Sequence, residues 1–298
     1  MFNPKPNLLL KKTTMRKTQI SMLVILLLAV CKISSAQNDT SIHRKNTLTA
    51  GVNYQSRLHY FGRTDSLKSS GLFPTIGFET KPGFYGSANF VFLNNSSKSF
   101  NYSGTVLEGG YKFPESRNFS GNIFYTHFLY NQDAEIVQAA LKGQTGINLT
   151  YNNKIVNVTA GGDAKFSDRT DFGLTGGLDH LFIYVIPGTK LALAATPSAY
   201  VYAGSQNFTQ TYYKQRNVPI LPGLPAGQQQ AVTQEVKNFN VLAYEFSLPV
   251  VFVAGKFNAT LTGSYVMLQN LVKVANRPDL TESGKNMFYV SAGLGVRL

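Results

Sequence analysis

Residues 288–298 read Phe-Tyr-Val-Ser-Ala-Gly-Leu-Gly-Val-Arg-Leu, and they decide the fold. Phe288, Val290, Ala292, Leu294, Val296 and Leu298 alternate with Tyr289, Ser291, Gly293, Gly295 and Arg297. An extended chain points successive side chains to opposite faces, so this stretch is a strand with one apolar and one wet face. The same period runs through 48–55, where Leu48, Ala50, Val52 and Tyr54 oppose Thr49, Gly51, Asn53 and Gln55. It returns in 156–165, 171–179 and 257–265. Alternation alone would also suit a soluble sandwich, whose apolar faces meet in a core.

Connection lengths separate the two. The pattern predicts strands over 47–56, 72–80, 84–94, 103–113, 118–130, 143–152, 155–166, 170–184, 190–203, 236–252, 256–268 and 286–298, twelve in all. Between them, brief turns such as Lys81-Pro82-Gly83, Asn152-Asn153-Lys154 and Ala254-Gly255 take turns with longer stretches at 57–71, 95–102, 131–142, 204–235 and 270–285; Ser167-Asp168-Arg169 is the one short member of the second set. An even strand count with short turns at one end and long loops at the other marks a transmembrane barrel. Greek-key crossings would not alternate in this way. The expected fold is therefore all-β, a closed antiparallel up-and-down transmembrane β-barrel of twelve strands with both termini periplasmic. Strands of 9 to 11 residues suffice to cross a bilayer.

Composition agrees. The 298 residues are 43% hydrophobic and 14% charged, with 21 Phe, 16 Tyr, 26 Gly and no Trp, a mixture suited to strands, bends and bulges. Ahead of the barrel, Arg16 and Lys17 precede an apolar run from Ile20 to Val30, and Ser34-Ser35-Ala36 supplies the small residues of a cleavage site. This predicts a signal peptide over 1–36, with 1–14 an upstream start if synthesis begins at Met15, a periplasmic lead-in over 37–46, and the barrel over 47–298. The sole cysteine, Cys31, falls in the leader, which leaves the exported chain without disulfides or thiolate-bound metal. The net charge of +13 owes six of its 28 cations to the leader: Lys5, Lys11, Lys12, Arg16, Lys17 and Lys32. The remaining excess is scattered without a basic run, so no nucleic-acid partner is expected.

With these features together, the chain resembles the outer-membrane β-barrel proteins common in Bacteroidota. Ser34-Ser35-Ala36 followed by Gln37, the polar lead-in and the up-and-down strands carry the likeness, and its most specific part, Phe288 to Leu298, looks like a strand recognised by the barrel-assembly machinery, although Leu298 stands where an aromatic residue is usual. The resemblance implies the cell outer membrane as location, its lipid and that machinery as partners, and a monomer. It brings no catalytic motif.

The sequence offers little chemistry beyond this. Barrel phospholipases and lipid deacylases use a His-x-Ser pair, in which imidazole activates the hydroxyl. Here the residues two positions after His43, His59, His127 and His180 are Lys45, Phe61, Leu129 and Phe182. No His-x-x-x-His spacing or glycine-rich phosphate loop is present, so neither a metal nor a cofactor is expected. The wet faces carry Glu108, Lys112, Asp163, Lys165, Asp171, Asp179, Glu245 and Arg297, charges costly toward lipid and acceptable in a lumen. The stretch 204–235, with Tyr212, Tyr213, Lys214 and Arg216 ahead of Pro219, Pro222 and Pro225, is the candidate constriction or ligand contact. The expected function is a passive channel for small solutes. The alternative is a closed structural or surface-binding barrel contacting a ligand, lipopolysaccharide or protein, and a lipid hydrolase is third.

Overall fold

The structure is a computed structural model and describes residues 45–64, 67–97, 99–114, 116, 118–131, 141–207, 239–271 and 284–298. The expected leader over 1–36, the lead-in as far as residue 44, and Tyr212, Tyr213, Lys214 and Arg216 lie outside the described residues.

Fourteen strands form one antiparallel sheet: β1 (Thr47–Gln55), β2 (Ser70–Glu79), β3 (Phe84–Asn94), β4 (Asn101–Lys112), β5 (Phe119–Tyr130), β6 (Gly143–Tyr151), β7 (Asn157–Phe166), β8 (Thr170–Asp179), β9 (Phe182–Val185), β10 (Leu191–Ala195), β11 (Ser198–Gly204), β12 (Asn240–Ala254), β13 (Phe257–Leu268) and β14 (Met287–Arg297). From β1 to β8 and from β12 to β14 each strand pairs with its neighbour in sequence, β11 joins β8 to β12, β10 pairs with β9 and β12, β14 pairs with β1, and the ring closes. The staves number twelve because β8 with β9, and β10 with β11, are each one stave interrupted. The second break falls at Thr196-Pro197, where proline has no N–H for the ladder. The path continues across it, since Thr196 N–H donates to Pro249 O at 3.0 Å and His180 N–H to Pro197 O at 3.2 Å. A closed antiparallel barrel of twelve staves is what the alternation predicted.

Both termini of the barrel share an end with the tight turns. Two of these turn on glycine in the left-handed region, Gly188 at φ 72° and Gly255 at φ 62°, which side chains disfavour. At the opposite end the register slips twice, at Val91/Phe92 against β4 and at Tyr202/Ala203 against β12. Such bulges bend a strand inward or outward at a barrel rim.

Burial is the reverse of a soluble protein's. Leu48, Ile76, Phe90, Leu107, Ile147, Leu174, Phe246 and Leu294 are exposed, while Arg63, Lys165, Asp171, Ser69 and Ser264 are buried. The apolar faces point out and the polar faces in. A soluble sandwich would bury the first set, so that alternative is excluded by the direction of the pleat. No helix among the described residues is long and apolar enough to cross a membrane.

Candidate functional site

The register carries the inner face around the ring. Ser87 stands opposite Glu108, Glu108 opposite Thr126, Thr126 opposite Gln144, Gln144 opposite Lys165 and Lys165 opposite Asp171. Lys112, Asp163, Asp179, Glu245 and Arg297 share this face, placed by their partners Asn122, Gly146, Ser198, Tyr200 and Thr49. Period two forces this result once any one pair is fixed.

These groups are bound to the wall. Glu108 accepts hydrogen bonds from Tyr85 Oη at 3.1 Å and Thr126 Oγ1 at 3.2 Å, and Asn122 donates to Tyr85 in turn. Lys112 pairs with Glu79 at 2.5 Å and lies 5.5 Å from the Tyr85 ring centroid. Lys165 pairs with Asp163, which also accepts from Gln144 at 3.3 Å. Glu245 accepts from Tyr289 Oη at 2.6 Å, and Asp179 accepts from Asn157 at 2.8 Å and Tyr200 at 3.3 Å. Asp171, fully buried, takes Ser205 Oγ at 2.7 Å and the Asn207 N–H at 2.6 Å. It pins the chain just beyond β11. Arg297 donates to Thr47 Oγ1 at 3.4 Å.

Glycines opposite the larger groups explain how so many side chains fit. Tyr200 faces Gly177, Asn53 faces Gly293, Asn148 faces Gly161 and Tyr85 faces Gly110. A Cβ at any of these glycines would overlap the side chain opposite it. These groups therefore lie across the facing glycines of the neighbouring strand, Tyr85 and Tyr200 in the manner of aromatic rescue.

The mouth at the end of the long connections is different. The segment joining β1 to β2 turns inward. Tyr60 and Phe61 pack with Leu141 and Phe128, and Phe61 also meets Ala243, Val266, Met287 and Tyr202 across the barrel. Arg63, 2% exposed, donates to Leu242 O at 3.5 Å, Gln269 O at 3.2 Å and Asn270 O at 3.0 Å. His59 Nδ1 accepts the Gly62 N–H at 3.3 Å, and its ring meets Tyr289 edge-on at 4.5 Å. Burial lowers the His59 pKa from 6.5 to about 4, so the imidazole is neutral at pH 7. Below this segment is a cavity of about 390 Å³ lined by Asn53, Gln55, Leu58, His59, Phe73, Asn89, Val91, Val106 and Tyr130.

Sequence reading passed over this segment. The signal for it was Leu58, Tyr60 and Phe61 in a polar loop, apolar groups that need cover. Of the other described histidines, His127 faces outward beside Tyr125, and His180 sits edge-on to Phe182. Among the described residues no three His, Cys, Asp or Glu side chains are placed to hold a metal ion.

No protein-family model and no curated protein matches the chain. Solved structures similar to it include the KdgM porin, with a TM-score of 0.45 and 9% identity over 84% of this chain and 98% of that one. The NanC porin has a TM-score of 0.44 and 11% identity, over 84% and 100%. LpxR from Salmonella typhimurium has a TM-score of 0.45 and 10% identity, over 83% and 99%. Likenesses this loose transfer no residue's role.

Proposed function

We propose that the chain is a monomeric outer-membrane barrel whose lumen passes small solutes passively, with its termini on the periplasmic side and its long connections outside. The outward apolar belt supports the membrane setting, because a contiguous surface of this kind is not left in water. One observation carries the channel reading: Tyr85, Tyr200, Asn53 and Asn148 on the inner face lie over facing glycines. A barrel meant to be solid would fill that space with side chains, as small closed barrels do.

The inner face also sets a sign. Glu79, Glu108, Asp163, Asp171, Asp179 and Glu245 stand there against Lys112, Lys165 and Arg297. Even with Arg63 at the mouth counted among the cations, carboxylates outnumber them on the described inner face of a chain that is basic overall. Rings of carboxylates favour cations, so the channel is cation-preferring. Planar bilayers containing the purified protein should show reproducible steps whose reversal potential in a potassium chloride gradient has the cation sign. Folded protein that gives no steps above bare lipid refutes the channel.

A second reading has its own support. The inward segment with Tyr60 and Arg63 narrows the mouth, as a closed barrel that holds a ligand would require. Silent bilayers together with saturable ligand binding would select it.

A further inference from the structure

We propose that the cavity beneath the β1–β2 segment is a binding site for a neutral, ring-shaped, hydroxylated molecule of hexose size. The proposal deepens the channel reading by naming the class of solute, and rests on that reading only for the site's role in transport.

The polar groups around the cavity keep hydrogen-bonding capacity in hand. Asn53 and Tyr130 make no side-chain hydrogen bond among the described residues. Asn89 uses its Oδ1 to accept from Thr75 at 2.7 Å, which leaves its amide N–H groups toward the cavity. Gln55 uses Nε2 on Arg57 O at 2.7 Å, which leaves its carbonyl oxygen. The His59 Nε2 atom is buried without a partner. Because Nδ1 accepts from Gly62, Nε2 carries the proton and is a donor. Donors and acceptors therefore meet in one place, a condition that hydroxyl groups, being both, satisfy best.

The rest of the wall is apolar. Leu58, Phe73, Val91 and Val106 belong to the cluster built on Val91 and Leu93. A site with one apolar wall and a few convergent polar groups is the usual form of a small-molecule pocket. A sugar ring has the matching shape, with C–H groups on its face and hydroxyls on its edge. No charged side chain lines the cavity, so an acidic or basic ligand would leave its charge unpaired there. A hydrocarbon would strand the polar groups instead. At ~30 Å³ per water, 390 Å³ equals roughly a dozen water molecules. That is room for one hexose and too little for an oligomer.

Saturation-transfer difference NMR on the purified protein in detergent tests this, with glucose and galactose as probes and glucuronate as the charged counterpart. A neutral hexose should show transfer strongest at the protons of its apolar face, and glucuronate should bind about tenfold more weakly or worse. Asn89→Leu keeps the volume, removes the amide, and should weaken hexose binding about tenfold. Val106→Phe fills the cavity and should abolish it. Each variant is first shown to be folded by its heat-dependent shift in gel mobility; where one is not, Asn53→Leu stands in for the amide removal and Val106→Met for the filling, with the same expected results. No transfer from either hexose, equal binding of glucuronate, or binding untouched by cavity filling in a folded variant overturns the proposal. Binding is read at equilibrium without ion flow, so a failed site and a failed channel give different results.

Discussion

Replacing Arg63 with Met should unseat the segment that narrows the mouth. The guanidinium reaches carbonyls on both sides of the β12–β13 end, with its two shorter hydrogen bonds to Asn270 O at 3.0 Å and Gln269 O at 3.2 Å. Hydrogen bonds from a charged donor contribute about 1.5–3 kcal/mol each. Methionine keeps the aliphatic stem but none of the donors. The released carbonyls sit at a rim where water can reach them, which lowers the combined loss to about 2–4 kcal/mol. That corresponds to a fall of roughly 30- to 900-fold in the ratio of seated to unseated segment.

Single-channel recording reads this directly. The parent protein should hold a narrow state, and Arg63→Met should show a wider state or rapid exchange between the two. The reverse perturbation is a lock. A Cβ at Gly62 would lie 3.0 Å from Leu268 Cβ, slightly inside the spacing of a disulfide, so Gly62→Cys with Leu268→Cys should cross-link after a small shift. The left-handed φ of 82° at Gly62 adds strain of about 1–3 kcal/mol to the cysteine form. The oxidised lock on Arg63→Met should restore the narrow state, and reductant should release it. If Arg63→Met, its oxidised lock and the parent all gave the same conductance and noise, the segment would not be the constriction.

Three further outcomes are expected. Gly177→Val should push the Tyr200 ring off the wall into the lumen, lower conductance and cost about 1–3 kcal/mol of stability; adding Tyr200→Ala should recover the conductance. Asp163→Asn leaves Lys165, 6% exposed, without its carboxylate and should destabilise the barrel by about 2–4 kcal/mol, seen as an earlier denaturant midpoint, with Lys165→Met in the same chain reversing most of the loss. For His59, the seated form disfavours the proton: its stability is full above pH 6.5 and is lost as pH falls toward about 4, by at most about 3 kcal/mol. The wider state should therefore gain population between pH 7 and pH 4.5, and His59→Gln, which removes this group and keeps every carboxylate, should flatten that part of the profile.

The barrel was legible because two periodicities coincide. Phe288 to Leu298 declares its faces through side-chain chemistry alone, and the alternation of short and long connections then orders the staves. Where a stave breaks, at Thr196-Pro197, the sequence still reads as one strand, since the apolar pattern of Leu191 to Ala203 continues past a proline that costs only one ladder bond. Lumen positions such as Glu108 and Asp179 were equally readable, because a charge within an alternating strand has one tolerable side. The wall's flatness was not. That Tyr200 lies on Gly177, or Asn53 on Gly293, depends on cross-strand register, and register is a property of the folded ring. Each glycine alone reads as a bend.

The inward segment at the mouth was not legible for a related reason. Proline-rich residues 219–225 attract attention because they look unlike a strand, whereas 57–69 looks like ordinary polar loop. Among its apolar residues, Leu58, Tyr60 and Phe61 are the diagnostic cluster once the barrel is known. In a loop at a membrane protein's wet end they have no lipid to enter, and water is unfavourable. Among the described residues, the apolar cover they reach is the inner rim of the barrel itself. Arg63, three residues after Tyr60, then becomes intelligible: a cation carried into that rim needs several carbonyls at once, and the ends of β12 and β13 supply them. A loop between two barrel strands that carries a cluster of large apolar residues closely followed by an arginine is therefore better read as a segment folded into the lumen than as a surface loop.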